Sequence, residues 1–369
     1  MRSNGLRLGS IRGVPVYLTS GWAVIALVLV VLFAPTVQRV LGLGLVPAAV
    51  VAAGVPLLLA LSVLLHELAH GLTAQRLGVT VREYVLSLWG GHTAFHSAID
   101  RPGASALVAV VGPATNGVLA AVFWWASEAV ASPAARLVLA AVAFTNVFVA
   151  VFNALPALPM DGGRLLEALV WRVRGDRDLG TLVAARVGQV VAVLVGLVSL
   201  YLGAGRGRPD WVTVIWGVLI ASMLWQGASA AARLARARRG TRDVDLSQWV
   251  VPVLLVPERA PVAALPGRLA GTAPGAVVVL GDQVGRPVAW VQPDSVAAVP
   301  EAVRGTTPLS ALGQHLPPEA VVVGHRGPDA VARLARAARA GARFVVLVEP
   351  GGRLLGAVDV ADAVRRLPR

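Results

Sequence analysis

His66-Glu67-Leu68-Ala69-His70 brings two imidazoles and a carboxylate together at the end of an apolar run. From Val40 to Leu65 there are 26 residues without a charge. On a helix, positions i and i+4 share a face, so His66 and His70 can grip one metal ion. Glu67 stands beside them, where a general base for an activated water is needed. Ionisable groups inside a bilayer are costly and usually face a protein-lined cavity. A soluble metal hydrolase has no need of this setting. Hydrolysis of peptide bonds within a membrane does.

A hydrolytic zinc site needs a third protein ligand and an open position for water. The best candidate is Asp161, in the stretch Asn153-Ala-Leu-Pro-Ala-Leu-Pro-Met-Asp-Gly-Gly-Arg164. Pro156 and Pro159 break helical continuity and Gly162-Gly163 permit unusual backbone, so Asp161 can turn towards a metal. A second reading makes Asp161 an interfacial cap of the helix that follows, since Asp is favoured at helix starts. His92 and His96 are also four apart, but they follow Gly90-Gly91 in a segment that is not helical. They are expected to be loop or substrate-channel residues, with a second metal contact as the lesser alternative. His315 and His325 are expected to be ordinary surface residues. Asn116 could support a ligand from behind or serve packing, and packing is the favoured expectation.

The elements that must position these groups are legible in composition. Of 369 residues, 56% are hydrophobic and 14% charged, against about 25% charged in an ordinary soluble domain. Six uncharged runs are each long enough for a spanning helix of about 20 residues: Gly13–Gln38, Val40–Leu65, Pro102–Ser127, Leu137–Met160, Val187–Gly205 and Trp211–Ala232. The second continues as a helix past His66 to about Leu77. The net charge is +13, every basic residue is Arg, and there is no Cys. Disulfides, thiolate ligands and Cys nucleophiles are thereby excluded. The Arg residues are scattered or flank apolar runs, which fits loops beside anionic lipid and not a nucleic-acid module. Arg2, Arg7 and Arg12, then Arg76 and Arg82, then Arg164 to Arg177, then Arg233 to Arg242 all fall on one side of a six-crossing topology. By the positive-inside rule that side is cytoplasmic and holds both termini. The N-terminal stretch lacks the compact apolar core of a signal peptide and is expected to be retained.

Between the second and third runs, VREYVLSLWGGHTAFHSAID alternates apolar and polar residues around Gly90-Gly91. It predicts a short membrane-associated β-hairpin or re-entrant loop. From about Asp243 the character changes. Short strands such as VVPVLLV, GAVVVL, RPVAWV, RFVVLV and LLGAV alternate with turns and with amphipathic helices over DAVARLARAARAGA and DVADAVRRL. The fold class expected is a polytopic α-helical membrane protein of about six spanning helices, over 1–240. An α/β domain over 241–369 follows it.

With both motifs in view, the chain resembles the site-2 protease family of intramembrane zinc metalloproteases. His66–His70 is like that family's HExxH, and PMDGGR is like its second motif, which supplies a carboxylate ligand. The likeness extends to IRGVPVYLTSGW, to Trp89–Gly91 and to Gly112-Pro113-Ala114-Thr115-Asn116, covering roughly residues 6–235. It implies one Zn²⁺ per chain on His66, His70 and Asp161, with Glu67 as general base and proton carrier to the leaving amine. Zinc would lower the pKa of a water towards ~7 and polarise the scissile carbonyl. Asn153 resembles the family's Asn near the oxyanion; an interhelical hydrogen bond is the other reading of that amide. An unwound substrate could add as a strand along the edge near Gly90-Gly91. The substrate implied is a single-pass membrane protein, such as an anti-sigma factor or a tethered transcription factor, cut in regulated intramembrane proteolysis. The alternatives are a catalytically inactive pseudoprotease that binds transmembrane partners, and a metal transporter. The latter would need polar residues along several helices.

Residues 341–367 resemble the second half of a cystathionine-β-synthase-type (CBS) domain, which implies a cytoplasmic regulatory module, an adenine nucleotide as ligand class and a homodimer as assembly. In nucleotide-binding members a Ser or Thr stands three residues before an Asp. Here Asp359 precedes Asp362, and Gln292 occupies the comparable place in the weaker first copy. Both departures count against nucleotide binding, and a structural or dimerising module is at least as good a reading.

Overall fold

The computed structural model describes residues 5–87, 90–204 and 209–367. Arg2, Trp89, Arg206 and Arg208 lie outside the described residues. The chain divides into two compact units, Met1–Ala235 and Arg236–Arg369.

The first unit opens with two strands, β1 (Leu6–Ile11) and β2 (Val14–Leu18). Helices α1 (Ser20–Leu41), α2 (Leu45–Ala52) and α3 (Gly54–Arg76) follow. Next come β3 (Val81–Ser87) and β4 (Gly90–Phe95). Helices α4 (Pro102–Ala129), α5 (Pro133–Ala154), α6 (Asp161–Arg174), α7 (Arg177–Ala204) and α8 (Trp211–Gly240) complete it, α8 running on into the second unit. Among the described residues, six helical stretches are long and apolar enough to cross a membrane, α2 and α3 counting as one stretch from Leu45 to Arg76. Their outward faces carry exposed Leu, Val, Phe and Trp, as a lipid-facing surface requires. α6 is too short and too polar to belong to this set.

The expected hairpin is present, as β3 and β4, but it is half of a four-stranded sheet ordered β1-β2-β3-β4. β2 runs parallel to β3, with Val16 opposite Tyr84, and β3 runs antiparallel to β4, with Tyr84 opposite Thr93. The first apolar run therefore divides: Val14–Leu18 is strand, and helix begins only at Ser20. Strands and spanning helices are equally apolar here, so hydropathy alone could not place that boundary. The sheet lies against α3. A Cβ on Gly71 would come within 2.2 Å of the Tyr84 hydroxyl, so only glycine admits the tyrosine at this distance. Tyr84 is fully buried; that burial, together with the nearby Glu67 carboxylate, pushes its phenol pKa up.

In the second unit, β5 (Val253–Pro257), α9 (Leu265–Leu269), β6 (Val277–Gly281), β7 (Pro287–Val291) and α10 (Pro293–Ala297) come first. Then follow β8 (Gly313–His315), β9 (Val321–Val323), α11 (Gly327–Arg339), β10 (Phe344–Val348), β11 (Leu354–Asp359) and α12 (Val360–Arg366). They form two sheets, ordered β5-β6-β7-β8 and β11-β10-β9. One buried core gathers around Leu265, Leu280 and Leu309 of the first half, and a second, around Leu334, Val346 and Leu347, draws on both sheets, with Val279 and Trp290 from the first.

Candidate metal centre

α3 is the element that carries the motif. Its hydrophobic run leads without interruption into His66, Glu67 and His70, which are all buried. His66 and His70 stand one turn apart, and their Nε2 atoms lie 3.0 Å from each other.

Asp161 reaches the same point from the far side of the unit, 95 positions later. The segment 155–160 between α5 and α6 is clamped to α7: the Leu158 N–H donates to Ala184 O at 3.2 Å, and a Cβ on Gly188 would fall 2.1 Å from Leu158 O. Gly227 of α8 abuts the Pro159 ring. The first turn of α6 then folds back onto this segment. A Cβ on Gly162 would meet the carbonyl oxygens of Ala154 and Leu155 at 2.3 Å, and one on Gly163 would meet Leu158 N at 2.3 Å. The two glycines after Asp161 are thus required by close approach of backbone to backbone. The result sets Asp161 Oδ2 at 3.1 Å from His66 Nε2 and 3.2 Å from His70 Nε2.

The hydrogen bonds behind the rings decide what this triangle can hold. His70 Nδ1 lies 2.6 Å from Val108 O, a carbonyl that can only accept, so Nδ1 carries the proton. His66 Nδ1 lies 2.5 Å from Asn116 Oδ1. The Asn116 amide nitrogen is committed to Asn146 Oδ1 at 2.8 Å, which leaves its oxygen for His66. Both imidazoles therefore present a bare Nε2 lone pair to each other and to a carboxylate oxygen. Three acceptors at 3.0–3.2 Å repel unless a cation sits among them. Donors around a tetrahedral zinc, at about 2.0–2.2 Å from the metal, stand ~3.4 Å apart, so a shift of a few tenths of an ångström suffices. Among the described residues, His66, His70 and Asp161 are the one such group of His, Asp and Glu side chains. Gly112 of α4 completes the seat: a Cβ there would lie 2.4 Å from His70 Nε2 and 2.7 Å from His66 Cε1. The donor set and the room left for it both fit zinc.

Glu67 belongs to the sheet side of α3. Thr93 Oγ1 of β4 is 2.6 Å from its Oε2, and a Cβ on Gly91 would lie 2.5 Å from its Cγ and 2.7 Å from its Oε1. β4 pairs with β3 on one side and has no second partner strand among the described residues. The Gly90-Gly91 strand thus holds Glu67 and is also an open sheet edge.

Asn153 is half-buried near the end of α5, and its amide has no hydrogen-bond partner among the described residues. His92 and His96 take no part in the His66–His70–Asp161 group. Of the two readings of Asn116, support of a ligand or packing, the structure bears out the less favoured: its Oδ1 accepts a hydrogen bond from His66 Nδ1–H. Asn146, Ser62 and Thr93 were not singled out from the sequence. The available signal was chemical: an amide in the middle of an apolar spanning run is expensive unless paired. In the tail, Asp359 accepts from the Asp362 N–H at 3.0 Å and so caps α12, while Gln292 Oε1 accepts from Gln314 at 3.1 Å.

Comparison with known proteins places this geometry. The profile of peptidase family M50 matches residues 55–134 and 126–197, a range that includes all three metal-facing side chains. Rip3 of Mycobacterium tuberculosis, which carries a zinc-metalloprotease name, is 30% identical over 322 residues, 85% of this chain and 80% of that protein. A protein of Synechocystis sp. with the same kind of name is 28% identical over 254 residues. That match takes in 68% of this chain and 65% of the Synechocystis protein, just under two thirds of its length. Among solved structures, the site-2 protease from Methanocaldococcus jannaschii is 24% identical, with a TM-score of 0.45, over 62% of this chain and 95% of that one. A CBS domain protein from Thermoplasma acidophilum is 18% identical, with a TM-score of 0.25, over 34% of this chain and 70% of that one.

Proposed function

Because this chain belongs to peptidase family M50, we propose that it is a membrane-embedded zinc endopeptidase of the site-2 protease type. The observation that carries the reading is the convergence of His66, His70 and Asp161, with both imidazoles in the tautomer that leaves Nε2 free. These three residues would hold the ion. Bound zinc would supply Lewis acidity towards a water and the scissile carbonyl.

The remaining work falls to the chain's own groups. Glu67 takes the proton of the attacking water and returns it to the leaving amine. Thr93 holds one carboxylate oxygen of Glu67 and leaves the other free. Asn153, whose amide is uncommitted, donates to the carbonyl oxygen as charge develops there. The substrate segment leaves its helix and lies as a strand along β4, because a helix shields its own peptide bonds. Substrates of this kind are single-pass membrane proteins, anti-sigma factors or tethered transcription factors among them, processed in regulated intramembrane proteolysis. The Arg-rich loops on one side support a cytoplasmic position for both termini. There the tail, residues 241–369, serves as a CBS-like regulatory and dimerising module with an adenine nucleotide as candidate ligand. The occupation of Asp359 as a helix cap makes the structural role of the tail the stronger one. A binding-only pseudoprotease has no observation in its favour.

The first test needs no substrate. Detergent-purified protein should carry about one zinc per chain, and Asp161→Ala should lose it. Glu67→Gln should keep zinc and abolish cleavage of a reconstituted single-pass substrate. A well-folded wild type that takes up no zinc would end this reading.

A further inference from the structure

A chain of buried side chains leads away from the metal-facing pair. His66 Nδ1–H donates to Asn116 Oδ1, and Asn116 Nδ2 donates to Asn146 Oδ1 at 2.8 Å. Asn146 Nδ2 donates to Ser62 Oγ at 3.0 Å and to Val142 O at 2.9 Å, and Ser62 Oγ donates to Leu58 O at 3.0 Å. Ser62, Asn116 and Asn146 each have no exposed surface. They come from three helices, α3, α4 and α5, each predominantly apolar around them.

Two features separate this chain of bonds from ordinary interhelical glue. Every link points the same way, from His66 towards Leu58, so each bond polarises the next. The direction is also the only one compatible with a free Nε2 on His66. Were the Asn116 amide turned over, its NH₂ would face Nδ1, the proton would move to Nε2, and the ring could no longer bind a metal. Asn146 prevents that turn by offering Asn116 an oxygen, and it can do so because Ser62 and Val142 O take both of its own protons. Ser62 stands one turn before His66 on the same face of α3, so the chain closes on the helix that carries the ligand.

We propose that Asn116, Asn146 and Ser62 are positioning residues that hold His66 in its metal-binding tautomer, so that zinc affinity is set in part from α5. This rests on the metal reading above. Outer hydrogen bonds to a ligating imidazole are typically worth about 10–100-fold in metal affinity.

The test is zinc affinity by chelator competition on the full-length protein in detergent, with monodispersity as the folding control. Asn116→Leu is expected to lose about 10–100-fold, and Asn146→Leu a smaller amount, on the order of several-fold, because it frees Asn116 to turn without removing it. Asn116→Asp supplies the conservative rescue. Its carboxylate can only accept from His66, so affinity is expected to stay near that of the wild type. A purely packing role predicts the reverse order, since Leu would be tolerated in an apolar bundle and a buried Asp facing the Asn146 oxygen would not. Wild-type affinity in both Leu variants would overturn the relay while leaving the metal site intact. Wild-type affinity in Asn146→Leu alone would overturn its extension to α5. A wild type without zinc would instead overturn the reading on which it rests.

Discussion

Gly112→Ala is the sharpest available perturbation of the metal seat, because it adds one methyl group and no charge. The new carbon would lie 2.4 Å from His70 Nε2, 2.5 Å from His70 Cε1 and 2.7 Å from His66 Cε1. Non-bonded carbon contacts settle at about 3.5–4.0 Å, so the rings or α4 must give way by about 1 Å. Neither ring can retreat freely. Each is tied at Nδ1, His66 to Asn116 at 2.5 Å and His70 to Val108 at 2.6 Å. A displacement of that size breaks those bonds or pulls both Nε2 atoms off the common point. Loss of one such outer bond costs about 10–100-fold in affinity, so disturbing two ligands together should cost at least about 100-fold. Helix propensity works in the opposite direction, since Ala in a helix is favoured over Gly by about 0.8–1.0 kcal/mol. That gain offsets part of the overpacking strain, typically about 1–3 kcal/mol, so the variant should remain folded while losing its metal. Gly117→Ala, on the same helix with open space around its Cβ position, is the matched control and should keep zinc. The assay is zinc per chain after purification, followed by chelator competition. A monodisperse Gly112→Ala protein that binds zinc as tightly as the wild type would refute the geometry of the seat.

Three further outcomes are expected. Thr93→Val removes the hydroxyl that holds Glu67 at 2.6 Å. A hydrogen bond to a charged group contributes about 1.5–3 kcal/mol, so turnover of a reconstituted single-pass substrate should fall by about tenfold or more with zinc content unchanged. Thr93→Ser should recover most of the turnover, and full activity in Thr93→Val would remove Thr93 from the proposed machinery. Arg177→Ala strips Glu167 of its 2.9 Å partner while the carboxylate stays buried. Breaking a buried pair costs about 3–5 kcal/mol, the low end applying because Arg177 is a third exposed. The melting temperature in detergent should drop clearly, and the double variant Glu167→Gln with Arg177→Met should regain most of it. Burial alone would raise the Asp245 pKa, but the Ser247 hydroxyl and N–H and the Arg326 guanidinium outweigh it and hold the carboxyl below its ordinary 3.8. A depressed folded value means that the stabilisation is complete above the unfolded pKa and is lost as pH falls through the folded one. Hydrogen exchange around residues 244–249 should therefore quicken below about pH 3.8 relative to intrinsic rates. Asp245→Asn should remove that pH dependence.

The parts of the fold that were legible are those set by a single period or composition. Uncharged stretches marked all six spanning helices, and the four-residue spacing put His66 and His70 on one face. Asp161 was legible because Pro-Met-Asp-Gly-Gly announces a chain reversal that only glycine can complete, and the backbone contacts of Gly162 and Gly163 are the physical form of that signal. What escaped were pairings between distant segments. Val14–Leu18 becomes a strand because Val81–Ser87 lies ready as its parallel neighbour, a fact absent from the local pattern. Asn116 and Asn146 lie 30 residues apart on different helices, and nothing local says that one amide meets the other. Each follows a threonine in an otherwise apolar stretch, and the cost of burying an amide there was the warning.

If substrate docks along β4 as proposed, that edge, open among the described residues, has a consequence for how substrates are chosen. Main-chain hydrogen bonds are alike for every residue but proline, so a peptide that docks along this edge is selected hardly at all by its side chains. What distinguishes one membrane segment from another is how readily it gives up its helix. Discrimination would then lie in the candidate's own conformational stability, with glycines, prolines or a frayed end acting as the password. An enzyme built this way is nearly blind to sequence but sensitive to weakness. On that reading a stable helix would pass the site uncut.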